Sequence, residues 1–290
     1  MSKNDPDKTK TPKDTHYAKL RRAHRDQKRE NGNLSAAKPQ QGRKNDWTPP
    51  KLAEDTVHIY GLHSVKAAIE NPQRVIRKLL VTRNALPKLD LSHIERLPFA
   101  IEMRSPQEID MIVGPDAIHQ GALLECKPLP VRKLDSLKDR PLLLVLDQVT
   151  DPHNVGAILR SAVAFDAGAV VTTERHSPTE SGVMGKSASG ALEMIPYIQI
   201  TNLGDALEDL KRLGFQIIGL DSEGPAPLEQ TFSGSKIALV LGAEGKGLRQ
   251  KTRTICNDLA RLDMPGAIKS LNVSNAAAIS LYAARQYLSR

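Results

Sequence analysis

Apolar and polar positions follow two distinct periods along residues 57–290, and together these periods predict an α/β protein. Short apolar runs bounded by polar or glycine-containing segments are typical of strands, whereas apolar residues recurring every three to four positions are typical of amphipathic helices. The first part of this region predicts a strand that passes into a helix, a second strand, a helix that begins with Ser105 and Pro106, and a third strand. These elements occupy residues 57–69, 75–82, 105–112 and 121–126.

A second α/β pattern starts at residue 142 with the run Leu-Leu-Leu-Val-Leu, which is short enough for a buried strand. Strands then alternate with helices to the end of the chain. This alternation predicts a mainly parallel sheet that is covered by helices on both faces. The predicted strands are 142–147, 169–173, 215–220 and 237–241, and the predicted helices are 155–165, 203–213, 248–256 and a closing helix that includes 276–285.

The same pattern divides the chain into four segments. Residues 1–50 contain scarcely any aliphatic side chains that could form a core, so we expect a disordered tail. Residues 55–127 form a small α/β domain, residues 128–140 a charged linker that contains proline, and residues 141–290 a larger α/β domain.

Charge is concentrated in the tail. Residues 1–50 hold 13 Lys and Arg against 6 Asp and Glu, which accounts for +7 of the net charge of +8. A basic helix within residues 16–29 could order on a polyanion, because each neutralised phosphate releases counterions. A solvated solubility tail is the alternative, and a mitochondrial presequence is less favoured because the segment contains acidic residues.

The composition also bears on location and on metal binding. No apolar run approaches the roughly 20 residues that cross a bilayer, and the first residues lack the apolar region of a secretory signal. We therefore expect a cytoplasmic protein with no membrane partner. Cys126 and Cys256 lie far apart without a neighbouring histidine pattern, so we expect two buried free thiols and no metal site.

Polar motifs directly follow two of the predicted strands, and the carboxyl ends of strands are where open α/β sheets bind ligands. The first motif runs over residues 147–160 and contains Asn154 and Arg160. On a helix that begins near Asn154, these two residues lie roughly 120° apart around the axis, so only the length of arginine would let both reach one ligand. An ordinary N-cap at Asn154 and a surface ion pair at Arg160 are the alternatives.

The second motif is a glycine loop at residues 241–248, which contains Gly242 and Glu244. Its glycine spacing is neither that of a dinucleotide-binding turn nor that of a nucleotide triphosphate loop. A loop with so little side-chain bulk can still wrap a flat ligand with its backbone groups.

The third motif covers residues 262–282, where Ser270, Asn272 and Ser274 precede a helix of small residues. Serine and asparagine at these positions are typical of helix N-caps, and Pro265-Gly266 predicts an irregular loop before them. A well-capped core helix is the alternative reading of this stretch.

Taken together, the three motifs resemble the SpoU (TrmH) family of RNA ribose 2′-O-methyltransferases, and most closely its branch that acts on a guanosine of large-subunit (23S) ribosomal RNA. The resemblance covers residues 57–290 and rests on Asp-Pro-His-Asn-Val-Gly with Arg160, on Leu-Gly-Ala-Glu-Gly, and on Ser-Leu-Asn-Val-Ser in this order. The chain departs from the family pattern at Leu262-Asp263-Met264, which replaces Ile-Pro-Met, and at Asn275, which replaces valine.

The resemblance implies a C-terminal α/β-knot (SPOUT) methyltransferase domain, a small N-terminal α/β RNA-binding domain, S-adenosylmethionine as cofactor, ribosomal RNA as partner, and a homodimer. It also implies roles for individual residues. The cofactor-binding positions would be Gly242, Leu262 and Leu271, and the polar active-site residues would be Asn154, Arg160, Glu244, Ser270 and Asn272.

Methyl transfer to a ribose hydroxyl requires an in-line approach and the loss of a weakly acidic proton. The family is often described with its arginine as general base, but a guanidinium practically never deprotonates in proteins. We therefore expect Arg160 to stabilise the ribose-phosphate or the developing alkoxide, while Ser270, Asn272 or Glu244 orients the hydroxyl. A tRNA ribose methyltransferase of the same superfamily and a non-catalytic ribosome-assembly factor are the alternatives.

Overall fold

The computed structural model describes residues 47–48, 52–53, 55–92 and 98–290. The segment from Trp47 to Arg290 forms one compact unit, and it contains two β-sheets. The predicted basic helix within residues 16–29 lies outside the described residues, as does almost all of the predicted tail.

The first sheet has four strands: β1 (Val57–Tyr60), β2 (Ile76–Val81), β3 (Ala100–Met103) and β4 (Ala122–Cys126). Their order across the sheet is β1-β4-β2-β3, with β4 antiparallel to both neighbours and β3 parallel to β2. Two helices pack on it, α1 (Leu62–Glu70) and α2 (Pro106–Val113). Helix α2 begins where the sequence predicted, and Ser105 and Glu108 form a capping box at its start.

The second sheet has seven strands: β5 (Leu142–Asp147), β6 (Val170–Thr173), β7 (Tyr197–Ile200), β8 (Gln216–Leu220), β9 (Ala226–Pro227), β10 (Ile237–Gly242) and β11 (Asp258–Arg261). All of their pairings are parallel, in the order β7-β6-β5-β10-β8-β11-β9. The predicted parallel sheet is therefore confirmed.

Six helices belong to this sheet: α3 (Pro152–Ala164), α4 (Gly182–Ala188), α5 (Leu203–Arg212), α6 (Leu228–Thr231), α7 (Gln250–Ile255) and α8 (Val273–Leu288). Successive residues of β5 point to opposite faces. Leu144 and Leu146 join the core under α3 and α8, whereas Leu143 and Val145 join the core under α5 and α7. Helices therefore cover both faces of the sheet, as the alternating pattern predicted.

The start of one helix and the burial of one cysteine differ from the sequence-based predictions. Helix α3 begins at Pro152 and not near Asn154, because the Asp151 side chain accepts a hydrogen bond from the His153 N–H and Pro152 occupies the first turn. Cys126 is a buried free thiol, but Cys256 is only partly buried. Burial raises the pKa of Cys126 to about 12 and that of Cys256 to about 11, so neither is an activated nucleophile.

The core beneath α3 and α8 continues into the first sheet. Ile59 and Leu79 of the small sheet belong to the same buried cluster as Leu144 of β5 and Met184 of α4. Within the part of the chain that the structure describes, no helix has the length and apolar character needed to span a bilayer.

Candidate active site

Three loops meet at the carboxyl edge of the seven-stranded sheet. Strands β5 and β10 pair in register to their ends, where Asp147 lies beside Gly242. The loop after β5 enters α3, the glycine loop follows β10, and α8 begins at the same edge. The edge thus gathers residues that are about 90 to 120 positions apart in the sequence, because parallel strands end on one side.

The side chains of Asn154, Glu244 and Asn272 form one hydrogen-bonded cluster at this edge. Glu244 Oε1 accepts from Asn272 Nδ2 at 2.8 Å and from Asn154 Nδ2 at 3.3 Å. It also accepts from the backbone N–H of Val273, the first residue of α8, at 3.2 Å. A carboxylate is favoured there, since the N-terminus of a helix carries unpaired N–H groups and partial positive charge.

The hydrogen bonds of Asn272 fix the orientation of its amide group. Its Oδ1 accepts from the N–H of Ser274 at 2.8 Å and so caps α8, while its Nδ2 donates to Asn154 Oδ1 at 3.0 Å and to Glu244. A flipped amide would lose all of these contacts. One Asn154 N–H and Glu244 Oε2 have no partner among the described residues, so they are available to a ligand.

The glycine loop is closed on itself. The N–H of Gly247 donates to Ala243 O at 2.9 Å, and these two residues form an isolated antiparallel bridge. A Cβ atom at Gly242 would lie 2.1 Å from the carbonyl carbon of Gly247 and 2.4 Å from the nitrogen of Leu248. Only glycine fits at this position, and the closed loop presents Glu244 to the cluster.

The other predicted site residues lie at or near the same edge but outside the cluster. Arg160 is exposed on α3, six residues beyond Asn154, and its side chain makes no hydrogen bond or ion pair with any described residue. Ser270 and Leu271 are exposed in the loop before α8, and Leu262 is partly buried just after β11. The structure therefore brings together Asn154, Glu244 and Asn272, and within the described residues neither Arg160 nor Ser270 is hydrogen-bonded to them.

Asp147 is a further residue of this edge, to which the sequence analysis gave no role. Its carboxylate is completely buried on the α7 side of the sheet. It accepts from the N–H of Arg249 at 3.2 Å, from Arg249 Nε at 2.6 Å and from Thr252 Oγ1 at 2.7 Å. Asp147 therefore fixes the chain that leaves the glycine loop, and an aspartate ending an otherwise apolar buried strand was the available signal.

We expect the Asp147→Asn substitution to lower the free energy of unfolding by about 1–3 kcal/mol, because the amide offers one acceptor where three donors converge. Urea unfolding measures this loss. The control is Asp209→Asn, which breaks an ion pair on the exposed surface of α5 and should change stability by less than about 1 kcal/mol. Equal stability of the two variants would contradict a positioning role for Asp147.

Two family models match the chain. The model described as the SpoU rRNA methylase family matches residues 141–282, and the model described as RNA 2′-O ribose methyltransferase substrate binding matches residues 58–131. The two matches cover the seven-stranded and the four-stranded sheet, respectively.

Individual relatives agree with these matches. The 23S rRNA (guanosine-2′-O-)-methyltransferase RlmB of Pseudomonas putida is 38% identical over 78% of this chain and 94% of its own length, and that of Escherichia coli is 36% identical over 78% and 96%. Among solved structures, the SpoU methyltransferase AviRb from Streptomyces viridochromogenes, in complex with AdoMet, has a TM-score of 0.70 at 21% identity. The likeness covers 80% of this chain and 90% of AviRb, and it shows a common fold.

Proposed function

The chain belongs to the SpoU rRNA methylase family, and on that premise we propose that it transfers a methyl group from S-adenosylmethionine to the ribose 2′-hydroxyl of a guanosine in 23S ribosomal RNA. The protein is an RNA 2′-O ribose methyltransferase, as the resemblance of its three motifs predicted. The observation that carries the proposal for this chain is the Asn154–Glu244–Asn272 cluster, in which one residue from each motif takes part.

Residues 55–127 serve in this proposal as the substrate-binding domain, residues 128–140 as the linker, and residues 141–290 as the methyltransferase domain. The family matches to residues 58–131 and 141–282 support this division. The path of α8 supports a knotted topology, since the chain leaves β11 near one edge of the sheet and returns to pack α8 against α3 and β10.

The cofactor is S-adenosylmethionine, which supplies an electrophilic methyl group on a sulfonium when bound. Gly242, Leu262 and Leu271 would hold it. The edge suits such a ligand: Gly242 has no side chain, and the glycine loop beside it lacks bulk. Leu271 is 40% exposed and Leu262 is partly buried, so both can cover apolar ligand surface at this edge.

The polar cluster would orient the ribose. The unpaired N–H of Asn154 can donate to a ribose oxygen, and Glu244 Oε2 can accept the hydrogen of the attacking hydroxyl. Because Oε1 already accepts three hydrogen bonds, the Glu244 carboxylate is held in one orientation. The main contribution of these side chains is therefore positioning of the hydroxyl, with Ser270 as a further candidate to orient it.

The positively charged side chain of Arg160 would act on the same substrate. Its guanidinium is exposed, and no described residue competes for it, so it is available to a phosphate or a developing alkoxide. A role as general base is not favoured, because a guanidinium retains its proton in proteins.

We also propose that the protein is a homodimer of the cytoplasm. Helix α8 leaves Ile279 45% exposed and Tyr282 53% exposed, so its outer face offers apolar surface to a second copy.

Ribose methylation mapped in 23S ribosomal RNA from cells lacking the gene tests the proposed substrate. One guanosine should lose its 2′-O-methyl group and should regain it when purified protein and S-adenosylmethionine are added. Loss of a tRNA modification instead would identify the tRNA alternative, and failure of S-adenosylmethionine to bind in calorimetry would identify a non-catalytic assembly factor.

Deletion of residues 1–46 should weaken RNA binding in a salt-dependent and sequence-independent way, because this segment carries 13 basic against 6 acidic residues. The deletion keeps Trp47, whose Nε1 donates to Met111 O at 3.1 Å and whose ring packs beside Gly114. Each phosphate contact that is lost should reduce the slope of log K against log salt by about 0.7–0.9. An unchanged affinity and an unchanged slope would show that the tail does not bind RNA.

A further inference from the structure

The two sheets are packed tightly against each other through α4. A Cβ atom at Gly182 would lie 2.3 Å from the Tyr60 ring of β1, so backbone and ring are already in contact. Ser64 of α1 donates a buried hydrogen bond of 2.8 Å to Gly185 O. Because a common apolar core continues beneath these contacts, the small domain is attached by much more than its linker.

A buried arginine lies at this junction. Arg74 follows α1 in the small domain, and its side chain is 0% exposed. Its guanidinium donates two hydrogen bonds to the Glu193 carboxylate, from Nε to Oε2 at 3.2 Å and from Nη2 to Oε1 at 2.5 Å. Its Nη1 donates to Glu180 and to Lys127 O. Both glutamates belong to the methyltransferase domain, so this one side chain joins the two domains.

The two glutamates are themselves held by further donors. Glu180 Oε2 accepts from the N–H of Leu129 in the linker at 2.9 Å, and Glu193 Oε2 accepts from Asn71 Nδ2 at 2.8 Å. Burial raises the pKa of Glu180, which agrees with a carboxylate removed from water. The small domain, the linker and the methyltransferase domain thus all contribute residues to one hydrogen-bonded network.

Such a network contributes more to the relative orientation of the two domains than to the free energy of folding. Removing charges from water costs about as much free energy as their attraction returns, and apolar residues of similar volume would often hold the domains together as strongly. Apolar contacts, however, tolerate small rotations, whereas a guanidinium with its planar fork satisfied on one carboxylate has a single arrangement. The Arg74 network is therefore suited to fixing the orientation of one domain on the other.

We propose that Arg74 is a positioning residue for methyl transfer. Through Glu180 and Glu193 it holds the substrate-binding domain in one orientation, so that RNA bound there presents its target ribose at a fixed distance from Asn154 and Glu244. The proposal rests on the function proposed above. A displacement of about 1 Å at the reacting atoms can lower a rate about 100-fold, so a small rotation of the domain would suffice.

The test compares two variants. One is Arg74→Met, and the other combines Arg74→Met with Glu180→Gln and Glu193→Gln. The triple variant leaves no unpaired charge in the buried network, so it guards against misfolding. The control is Arg212→Met, which removes an arginine that is 75% exposed on α5, outside the proposed RNA-binding and catalytic residues. For each protein the experiment measures the dissociation constant of S-adenosylmethionine, kcat/KM for a 23S rRNA fragment, and kcat/KM for a short stem-loop with the same nucleotide. Hydrogen exchange is followed at residues 127–132 and 182–188.

Both Arg74 variants should keep cofactor affinity within about twofold and lose about 10–100-fold in kcat/KM on the long fragment. Activity on the stem-loop, which reaches only the methyltransferase domain, should change little, and exchange should accelerate in both segments. A triple variant with normal activity on the fragment and normal exchange would overturn the proposal, as would equal losses on both RNAs. Absence of methyl transfer by the unaltered protein would contradict the proposed function instead, and the exchange result would still test the role of Arg74.

Discussion

Replacement of Arg160 by alanine is expected to lower kcat by about 10²–10³-fold, while the dissociation constant of S-adenosylmethionine changes by less than about twofold. Arg160 is exposed and has no described partner, so its loss strands no buried charge and should not destabilise the fold. The effect should therefore fall on the transition state. Single-turnover methylation of RNA measures the chemical step, and calorimetry measures cofactor binding.

The Arg160→Lys variant distinguishes the two roles considered for this residue. Lysine keeps the charge and loses the planar fork, so an electrostatic role predicts a rate between those of arginine and alanine. A general base predicts that lysine works at least as well at high pH, because an amine gives up its proton far more readily than a guanidinium. Arg212→Ala is the matched control, since that arginine is 75% exposed on α5 and on the other face of the sheet. Near-normal turnover of Arg160→Ala would contradict both roles.

The Gly242→Ala substitution is expected to raise the dissociation constant of S-adenosylmethionine at least tenfold and to lower the free energy of unfolding by about 1–3 kcal/mol. The added methyl would lie 2.1–2.4 Å from backbone atoms of Gly247 and Leu248, which cannot move without opening the glycine loop. Opening the loop also displaces Glu244 from Asn272. Calorimetry and urea unfolding measure the two effects.

Gly204→Ala is the control for this substitution. A methyl there would meet the flexible end of Lys251 at 3.1 Å and Ile255 Cδ1 at 3.2 Å, and it lies in the first turn of α5. Alanine is favoured over glycine in helices by up to about 1 kcal/mol, so this variant should be as stable as the unaltered protein or slightly more stable. If Gly242→Ala bound cofactor as tightly as Gly204→Ala does, Gly242 would not belong to the cofactor site.

The strongest elements of the fold could be predicted because their apolar pattern is unambiguous. Strand β5 is buried at all six positions, and a continuous apolar run is typical of a central parallel strand. Strand β11 (Asp-Leu-Ala-Arg) and helix α4, which contains two glycines, gave no such signal. Tertiary contacts decide the conformation of such segments. Strand β11 forms because it pairs with β8, and α4 forms because it packs on β1.

The three residues of the hydrogen-bonded cluster could be selected from the sequence, but the contacts among them could not. Asn154, Glu244 and Asn272 were selected by motif, but their shared hydrogen bonds depend on how the sheet orders its strands. The start of α3 was misplaced because Asn154 and Asp151 are both good N-caps, and Pro152 decides between them. Arg74 could not be selected from the sequence, because an arginine is usually exposed and only the fold shows that this one is buried.

The hydrogen bonds between Glu244 and the start of α8 make the orientation of this carboxylate depend on a helix that follows every strand of the two sheets. Every strand of both sheets precedes residue 273, whereas two of the three donors that hold the Glu244 carboxylate belong to Asn272 and Val273. A fragment that stops before α8 should therefore fail to methylate RNA, because it loses both the donors that orient Glu244 and the apolar residues of α8 that complete the core.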